Sequence, residues 1–583
     1  MPDRRRVLMI GCLFLFGATL AAAPKPKGPA PADTLLVRGK VYTVNAQKPW
    51  AEALAIRGDK IVAVGSDAEI KRFRGPRTQV INARGHLVLP GFTDCHVHFL
   101  DGSLALGQVK LDGARTVAEI QQRVKEYAAS HPGTGWILGR GWTYTVFGRA
   151  ALPHKKLLDE ILPERPALLE GFDGHTYWAN SRALEMAGIT RNTPDPPNGQ
   201  IVRDPETGEP TGALKEAASE LLDPVLPKPT RAEKLAALRQ GLAEANHNGL
   251  VRVHSAGGDF EELGLYDELR RSGALTVRMY IAYFLNPPQI RPETIETIEE
   301  ARRRCHDKWI SAGAVKMMLD GVIESHMAAM LAPYTDDRGL SGKMFWEADK
   351  YKQAVAELER RGFQIFTHAI GDAAVRLALD AYEQAQRLSV TSDPRPRIEH
   401  IETATAADLS RFGRLGTIAS FQPLHAYPGE NTLNVWVRNV GPEREARAFA
   451  WRSVASGGGR LAFGSDWPIA TLNPWAGLQN AVTRQDIEGC PPEGWVPQQR
   501  LNVAEAVEAY TLGAAIAGRR EKTEGSLEPG KLADLIVVSQ DLFEIDPHAI
   551  GQTEVLLTLV GGKTVYQSPR WVSGRAARGE PSR

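Results

Sequence analysis

Cysteine is scarce in this chain of 583 residues, which contains only four. Cys12 lies in an apolar N-terminal stretch, so Cys95, Cys305 and Cys490 remain for the rest of the protein. An odd and sparse set of this kind excludes a disulfide framework, and we expect no bridge. We interpret Cys95 as a small buried side chain.

An excess of charge of one sign is also missing. The formal net charge is +1, and no basic run is longer than Arg4-Arg5-Arg6. This balance excludes an extended basic surface, so we expect neither nucleic acid nor a membrane surface as a partner. With 43% hydrophobic and 24% charged residues, the composition is that of an ordinary globular enzyme.

Long hydrophobic runs are absent as well. The apolar stretch Val7–Ala23 follows the three arginines and is shorter than the roughly 20 residues that a spanning helix needs. Ala21-Ala22-Ala23 offers small residues for signal peptidase. We therefore predict a signal peptide at 1–23 and a linker at 24–32. The mature protein is expected to be exported, periplasmic or extracellular, with no stable membrane span after cleavage.

The remaining sequence predicts an α/β fold, a (β/α)8 TIM-like barrel, with a small composite β-sandwich. Short alternating segments punctuated by glycine at 33–88 and 519–567 indicate β-hairpins, and we expect both chain ends to form one sandwich. Strands and helices alternate over 89–518, which is typical of a parallel barrel. We place an insertion at about 136–229, rich in Pro and Gly, and a disordered tail at 568–583.

Potential metal ligands follow short apolar runs that we interpret as buried parallel strands. In the strand that carries His-x-His, alternate side chains point the same way, so both histidines can bind one ion. Imidazole and carboxylate ligands suit zinc, iron or manganese. Because the active site of a barrel enzyme lies at the carboxyl ends of its strands, we expect one metal site there. The candidates are His96, His98, Lys316, His368, His400 and Asp466.

The motifs around these residues resemble the amidohydrolase superfamily, and most closely its third subfamily, which includes N-substituted formamide deformylase. The resemblance extends from about Ala32 to Gln567. The matching stretches include LPGFTDCHVH at 89–98, AVKMMLDGVIESHMAAMLAPY at 314–334, THAIGDAAV at 367–375, RIEHIE at 397–402, FGSDWP at 463–468 and GSLEPGKLADLIVV at 525–538.

The resemblance implies two divalent ions, of which zinc is our first choice and iron or manganese the alternatives. His96, His98 and Asp466 would bind the more buried ion. The other two histidines of the set would bind the second, with Lys316 carboxylated on N6 to bridge both. A protonated lysine has no lone pair, so carboxylation is required for this role. Lys316 could instead be a salt-bridged structural lysine.

The implied reaction is hydrolysis of a C–N bond in a small-molecule amide, formamide or cyclic amide. A metal-activated hydroxide would attack the carbonyl, with Asp466 first as general base and then as general acid. His175, in the segment Asp-Gly-His, is the candidate donor to the oxyanion. His425 is expected to face the pocket. Glu399 is expected to point away from His400 and to serve as an ion-pair partner.

Two other functions stay open. One is a mononuclear deaminase of the same superfamily, in which a Glu commonly follows the strand-five histidine by three residues. That position is Gly371 here, which favours the hydrolase. The second is a non-catalytic or regulatory exported protein that keeps the fold, although no ligand is missing.

The sequence leaves a homo-oligomer open. Trp142, Trp436 and Trp467 suggest an aromatic pocket of low charge, suited to an apolar N-substituent.

Overall fold

The computed structural model describes residues 29–148, 152–287, 290–388 and 393–571. The predicted signal peptide, most of the linker and most of the tail lie outside these ranges. Within them, no helix is both long enough and apolar enough to cross a membrane.

The N-terminal part of the described chain forms short strands, several of which bury consecutive apolar side chains. Four of these strands make one sheet in the order β5-β4-β1-β6. A tight turn joins β4 to β5, and Gly58 at this turn has a φ of +60°, which glycine adopts without strain. The elements are β1 (Thr34–Val37), β2 (Lys40–Tyr42), β3 (Trp50–Ala51), β4 (Ala53–Arg57), β5 (Lys60–Gly65), α1 (Asp67–Lys71), β6 (Gln79–Asn82) and β7 (Leu87–Pro90).

The first barrel strand is followed by an extra segment with its own sheet, in the order β13-β14-β12-β11-β10-β9. This segment begins at Val109, well before the expected position 136. Helix α3 belongs to it, because Ile120 and Val124 pack in one core with Ile137. The elements are β8 (Phe92–Val97), α2 (Phe99–Ala105), β9 (Val109–Lys110), α3 (Val117–Ser130), β10 (Ile137–Trp142), α4 (Lys156–Asp159), β11 (Ala167–Gly171), β12 (Thr176–Ala179), α5 (Ser181–Met186), β13 (Gly199–Arg203) and β14 (Pro210–Glu216).

The barrel is an eight-stranded sheet in the order β21-β20-β19-β18-β17-β16-β15-β8, and all neighbouring strands are parallel. It closes where the Asp466 amide donates to the His96 carbonyl at 2.7 Å and the His98 amide donates to the Trp467 carbonyl at 2.7 Å. The remaining barrel strands are β15 (Leu250–Gly258), β16 (Arg278–Phe284), β17 (Ile310–Met318), β18 (Gln364–Ala369), β19 (Arg397–His400), β20 (Ile418–Phe421) and β21 (Arg460–Phe463).

Helices cover the outside of the barrel with one apolar face each. In α10, for example, Val375, Leu379 and Tyr382 recur at helical spacing and are fully buried. The helices are α6 (Arg231–His247), α7 (Phe260–Arg271), α8 (Pro292–Arg304), α9 (Ala348–Arg360), α10 (Asp372–Leu388), α11 (Ala406–Leu409), α12 (Arg411–Leu415), α13 (Val437–Glu445), α14 (Trp451–Ser456), α15 (Pro474–Thr483), α16 (Val503–Tyr510) and α17 (Leu512–Ala517).

The two ends of the chain meet in a second sheet, in the order β24-β23-β22-β7-β2-β3. Strand β22 runs antiparallel to β7, with Val537 opposite Val88. This sheet shares an apolar core with the four-stranded sheet, to which Leu54 and Leu557 contribute. The apolar run at Leu87 therefore belongs to this sheet and not to the barrel strand that carries His96. The C-terminal strands are β22 (Leu535–Val538), β23 (Val555–Val560) and β24 (Lys563–Gln567).

Candidate metal centre

All six predicted ligands lie at the carboxyl end of the barrel. His98 follows β8 directly, and Asp466 lies three residues after β21. The other four side chains lie in the last three residues of their own strands. They are His96 on β8, Lys316 on β17, His368 on β18 and His400 on β19.

The first group of ligand atoms surrounds one oxygen of Asp466. His96 Nε2 is 3.4 Å and His98 Nε2 is 3.2 Å from Asp466 Oδ1. Lys316 Nζ lies 3.1 Å from His96 Nε2. His96, His98 and Asp466 place their ligand atoms within 4.8 Å of one another. These are the three side chains that the resemblance assigns to the more buried ion.

The second group includes a histidine that the sequence indicated only as facing the pocket. His400 Nδ1 is 3.8 Å and His425 Nε2 is 3.7 Å from Asp466 Oδ2. The two imidazoles are stacked, with ring centres 5.7 Å apart. The His368 ring lies 4.5 Å from the His400 ring. The second ion would therefore have three neighbouring imidazoles, whereas the sequence indicated two.

Several of these atoms are buried without any hydrogen-bond partner in the described structure. They are His368 Nε2, His400 Nδ1, His425 Nε2 and Asp466 Oδ1. Buried polar atoms are normally hydrogen-bonded, because leaving one unpaired costs about 1–3 kcal/mol. These nitrogen and carboxylate oxygen atoms converge without a hydrogen bond between them in the described structure. Such a set of ligand atoms suits a zinc, iron or manganese ion. The residues present therefore fit a metal centre.

Two of the ligands have a backbone in the left-handed region, which is strained for His400. His400 has a φ of +74° and Asp466 a φ of +61°. The left-handed region is costly for residues other than glycine, asparagine and aspartate, and strain of this kind is often concentrated at functional sites. The conformation turns His400 out of the alternating pattern of β19, so that its ring faces His368 and Asp466.

Two carboxylates, on Asp94 and Glu399, fix the position of the ligand residue His96 through hydrogen bonds. Asp94 Oδ1 accepts from the amides of His96 at 3.1 Å and Ser465 at 2.9 Å, and so joins β8 to the loop after β21. Glu399 Oε2 accepts from His96 Nδ1 at 2.6 Å. Arg397 donates to both oxygens of Glu399. Glu399 is an ion-pair partner, as expected, but it also orients a ligand, which the sequence did not indicate.

Burial keeps the imidazoles of His96, His368 and His400 neutral. Together with the Lys316 amine it lowers the pKa of His96 to about 4. It also lowers the pKa values of His368 and His400 well below the ordinary range. Neutral imidazole is the form that binds a cation. Burial would raise the pKa of Asp466, but the surrounding imidazoles hold it well below its usual value, so this carboxylate is ionised.

Lys316 has no carboxylate at ion-pair distance among the described residues, although Glu399 and Asp466 lie near enough to act on its amine. Its side chain is buried, and among the described residues no carboxylate forms an ion pair with Nζ. Burial lowers the pKa of its amine. A buried lysine that is charged and unpaired is costly. The alternative of a salt-bridged lysine therefore finds no partner in the described structure.

His175 comes to the site from the extra segment, between β11 and β12. Its Nδ1 lies 2.6 Å from Glu216 Oε2 at the end of β14. Burial alone would lower the pKa of His175, but Glu216 outweighs this and raises it to about 9. At neutral pH the ring is therefore a cation with two N–H donors. Glu216 was not identified from the sequence, because 41 residues separate it from His175.

Two cavities meet at the centre, with volumes of about 700 and 410 Å³. His175, His368, His400 and Asp466 line both of them. The three tryptophans expected to form an aromatic pocket line neither cavity in the described structure, and that expectation is wrong. Trp142, Trp436 and Trp467 are buried in the core instead.

The sequence profile of the Amidohydrolase family matches residues 79–566. The chain belongs to the amidohydrolase family. This family membership agrees with the barrel and with the position of the candidate centre, and it makes the protein a hydrolase that acts on C–N bonds.

Known proteins resemble the chain along nearly its whole length. Protein LONG AFTER FAR-RED 3 of Arabidopsis thaliana is 33% identical over 571 residues, covering 95% of this chain and 94% of its own. N-substituted formamide deformylase of Arthrobacter pascens is 27% identical over 548 residues, covering 92% and 98%. An uncharacterized metal-dependent hydrolase from Pyrococcus horikoshii has the same fold, with a TM-score of 0.70 at 24% identity, over 88% of this chain and 99% of its own.

Proposed function

We propose that this protein is an exported, metal-dependent amidohydrolase that cleaves the C–N bond of a small-molecule amide, formamide or cyclic amide. The observation that carries the proposal is a set of four buried potential metal-ligand atoms that have no hydrogen-bond partner in the described structure. They belong to His368, His400, His425 and Asp466. The formamide deformylase relative supports a substrate of this kind.

Two divalent ions are proposed, with zinc first and iron or manganese as alternatives. His96, His98 and Asp466 would hold one of them. His368 and His400 would hold the other, with His425 as a further candidate. Lys316, carboxylated on N6, would bridge them, since its buried amine has no ion-pair partner among the described residues. Bound divalent ions supply Lewis-acid chemistry and lower the pKa of water, so that a nucleophile exists at neutral pH.

Asp466 is proposed as the group that moves the proton. Its Oδ1 accepts no hydrogen bond in the described structure, and the side chain lies where both cavities meet. It can therefore accept the proton of the attacking water and return it to the departing nitrogen, as general base and then general acid. The low pKa of Asp466 keeps this carboxylate ionised at neutral pH.

His175 is proposed to stabilise the negative charge on the carbonyl oxygen. Its Nδ1 donates to Glu216, which leaves Nε2 available to a ligand in the cavities that the ring lines. A fixed cationic donor aimed at a developing oxyanion is among the largest contributions to catalysis. The extra segment that carries His175 would also exclude water from the reaction.

The deaminase alternative is weakened by the surroundings of Gly371. A Cβ at this position would lie 2.0 Å from the Ala329 carbonyl oxygen. No side chain, and hence no catalytic glutamate, can occupy position 371 without moving the backbone. The three Asp320 hydrogen bonds to the amides of Ala329, Ile370 and Gly371 fix this loop.

Hydrolysis of formamides, acyl amides and cyclic amides, scored by release of the amine or opening of the ring, tests the proposal. We expect turnover that chelators abolish and divalent ions restore. Release of ammonia from ring amidines without any amide turnover would contradict it. Export is tested separately, by N-terminal sequencing of the secreted protein, for which we expect cleavage near Ala23.

A further inference from the structure

The larger cavity is lined by carboxylates, where an aromatic pocket was expected. Its inner wall carries Asp173, Glu324 and Glu402 in addition to Asp466. Towards solvent it carries Glu430, Asp486 and Glu488. Among the described residues that line it, Arg115 is the one lysine or arginine, and its side chain is exposed. The cavity is therefore strongly acidic.

The two innermost glutamates lack a protein cation. Within the described residues, neither Glu324 nor Glu402 forms an ion pair with a lysine or arginine. Glu402 is only 6% exposed, accepts from Trp436 Nε1 at 2.7 Å and lies 4.0 Å from His425 Nδ1. The nearby His175 cation is already engaged with Glu216. Glu402 is buried and Glu324 is partly buried, and carboxylates in such surroundings are normally paired with a positive charge.

A further acceptor lies in the same wall. Asn431 Nδ2 donates to Glu324 Oε1 at 3.3 Å, which fixes the orientation of the amide. The Asn431 Oδ1 atom is buried and has no donor in the described structure. At the inner end of the cavity, Asp466 is 6% exposed and its Oδ1 is also unpartnered. The wall thus offers unpaired acceptor atoms next to the site where the substrate carbonyl must bind.

We propose that the larger cavity binds a positively charged group of the substrate, an ammonium, amidinium or guanidinium, through Glu324, Glu402 and Asn431 Oδ1. Such groups are donors only, and they match these carboxylate and amide acceptors. This inference rests on the proposed function and specifies its substrate class: an amide whose remote substituent is a cation. The acidic residues towards solvent would raise the local concentration of such a substrate.

The first experiment measures binding, independent of turnover. Isothermal titration calorimetry on the metal-replete protein compares benzamidine with acetophenone, which has nearly the same shape but no charge and is not an amide. We expect benzamidine to bind about tenfold or more tightly, as a charge-assisted hydrogen bond predicts. The bound metal ions repel a cationic ligand. A preference for benzamidine over acetophenone in the metal-replete protein must therefore come from the acidic wall of the cavity.

Variants test which residues cause the preference for benzamidine. Glu324→Gln and Glu402→Gln keep the size of the side chains, and each should weaken benzamidine about tenfold while leaving acetophenone unchanged. Glu443→Gln, whose side chain is 89% exposed and outside the cavity, is the matched control and should change neither. Equal affinity of the two ligands for the wild-type protein would overturn the inference. So would a benzamidine preference that survives in both cavity variants.

A substrate pair separates this inference from the proposed function. N-[4-(aminomethyl)benzyl]formamide carries an ammonium where N-(4-ethylbenzyl)formamide carries a methyl group. We expect kcat/KM to be about tenfold or more higher for the charged formamide, and the two Gln variants to remove the difference. Equal kcat/KM values would overturn the inference. If neither formamide nor any other amide is hydrolysed, the proposed function fails, and the calorimetry alone decides on the cation site.

Discussion

The two ends of the barrel differ in whether their buried polar side chains have partners. At the amino end, Arg278 donates to both oxygens of Asp534 at 2.8 and 2.9 Å, and its third nitrogen donates to a carbonyl. Arg252 pairs with both oxygens of Glu524 in the same manner. At the carboxyl end, atoms of His368, His400 and Asp466 have no partner in the described structure.

The difference distinguishes side chains that stabilise the fold from side chains that we expect to bind a ligand. The paired charges join the barrel strands β15 and β16 to the chain near β22, so they fix the position of the composite sheets. The unpaired atoms make no hydrogen bond in the described structure, and we expect them to gain a partner when a ligand binds. At these two ends of the barrel, complete pairing therefore accompanies a structural role, and convergent unpaired atoms accompany the candidate metal centre.

The largest effect is expected from Asp466→Asn, which removes a ligand and the proton carrier together. We expect kcat/KM to fall roughly 10⁴-fold. The free energy of unfolding of the metal-free protein should fall by no more than about 1 kcal/mol, because Asp466 Oδ1 accepts no hydrogen bond in the described structure and only its attraction to the neighbouring imidazoles is lost. Steady-state kinetics and chemical denaturation of the same preparation test both parts. Activity within tenfold of the wild-type protein would contradict the role of Asp466.

Asp534→Asn should show the opposite behaviour. It leaves Arg278 buried without its counter-ion, and we expect the free energy of unfolding to fall by about 3–5 kcal/mol. Metal content should stay at the wild-type level. Denaturation followed by tryptophan fluorescence, with Glu443→Gln as the exposed control, measures the effect. An unchanged unfolding midpoint, or loss of metal, would break the distinction between the two ends.

Glu399 belongs to both regions, since it is paired with Arg397 and also accepts from His96. It is a positioning residue, and its replacement sharpens the comparison. We expect Glu399→Gln to weaken metal affinity about 10- to 100-fold. Competition with a fluorescent chelator measures this without reference to activity. Unchanged affinity would make Glu399 part of the fold alone.

The smallest effect concerns the His175–Glu216 pair. The pKa of His175 is raised above its ordinary value of 6.5 to about 9. The pair therefore stabilises the folded protein fully below about pH 6.5, and this contribution is lost as the pH rises through about 9. In Glu216→Gln the pKa should fall and the loss of stability in this window should disappear.

Histidine-selective NMR gives the titration of His175 directly. His175→Gln identifies the resonance and is the control. A wild-type titration at or below 6.5, or identical curves in the wild-type protein and Glu216→Gln, would contradict a charged His175.

Much of this architecture follows from local sequence patterns. Period-two segments at both chain ends and strand–helix alternation between them predicted the barrel and the composite sheets, and the barrel fold is confirmed. The ligand positions followed from polar residues at the ends of apolar runs. Parallel strands bring such residues to one edge, whatever the lengths of the intervening helices.

The parts that sequence did not predict depend on contacts between distant segments. Strand β9 has only two residues, too short for a pattern, so the extra segment seemed to begin later. The partners of His175 and His96 are Glu216 and Glu399, and no spacing rule links them. The tryptophans gave a wrong prediction because an aromatic side chain near a strand end packs in the core as readily as it lines a pocket.

The measurement that tests the central claim most directly is metal content per chain, by elemental mass spectrometry, after purification without chelators. The unpaired cluster predicts about two ions in the wild-type protein and one or fewer in Lys316→Ala. Binding of no metal after reconstitution would contradict a metal centre. About one ion in both proteins would contradict the bridging role of Lys316 and leave a mononuclear site.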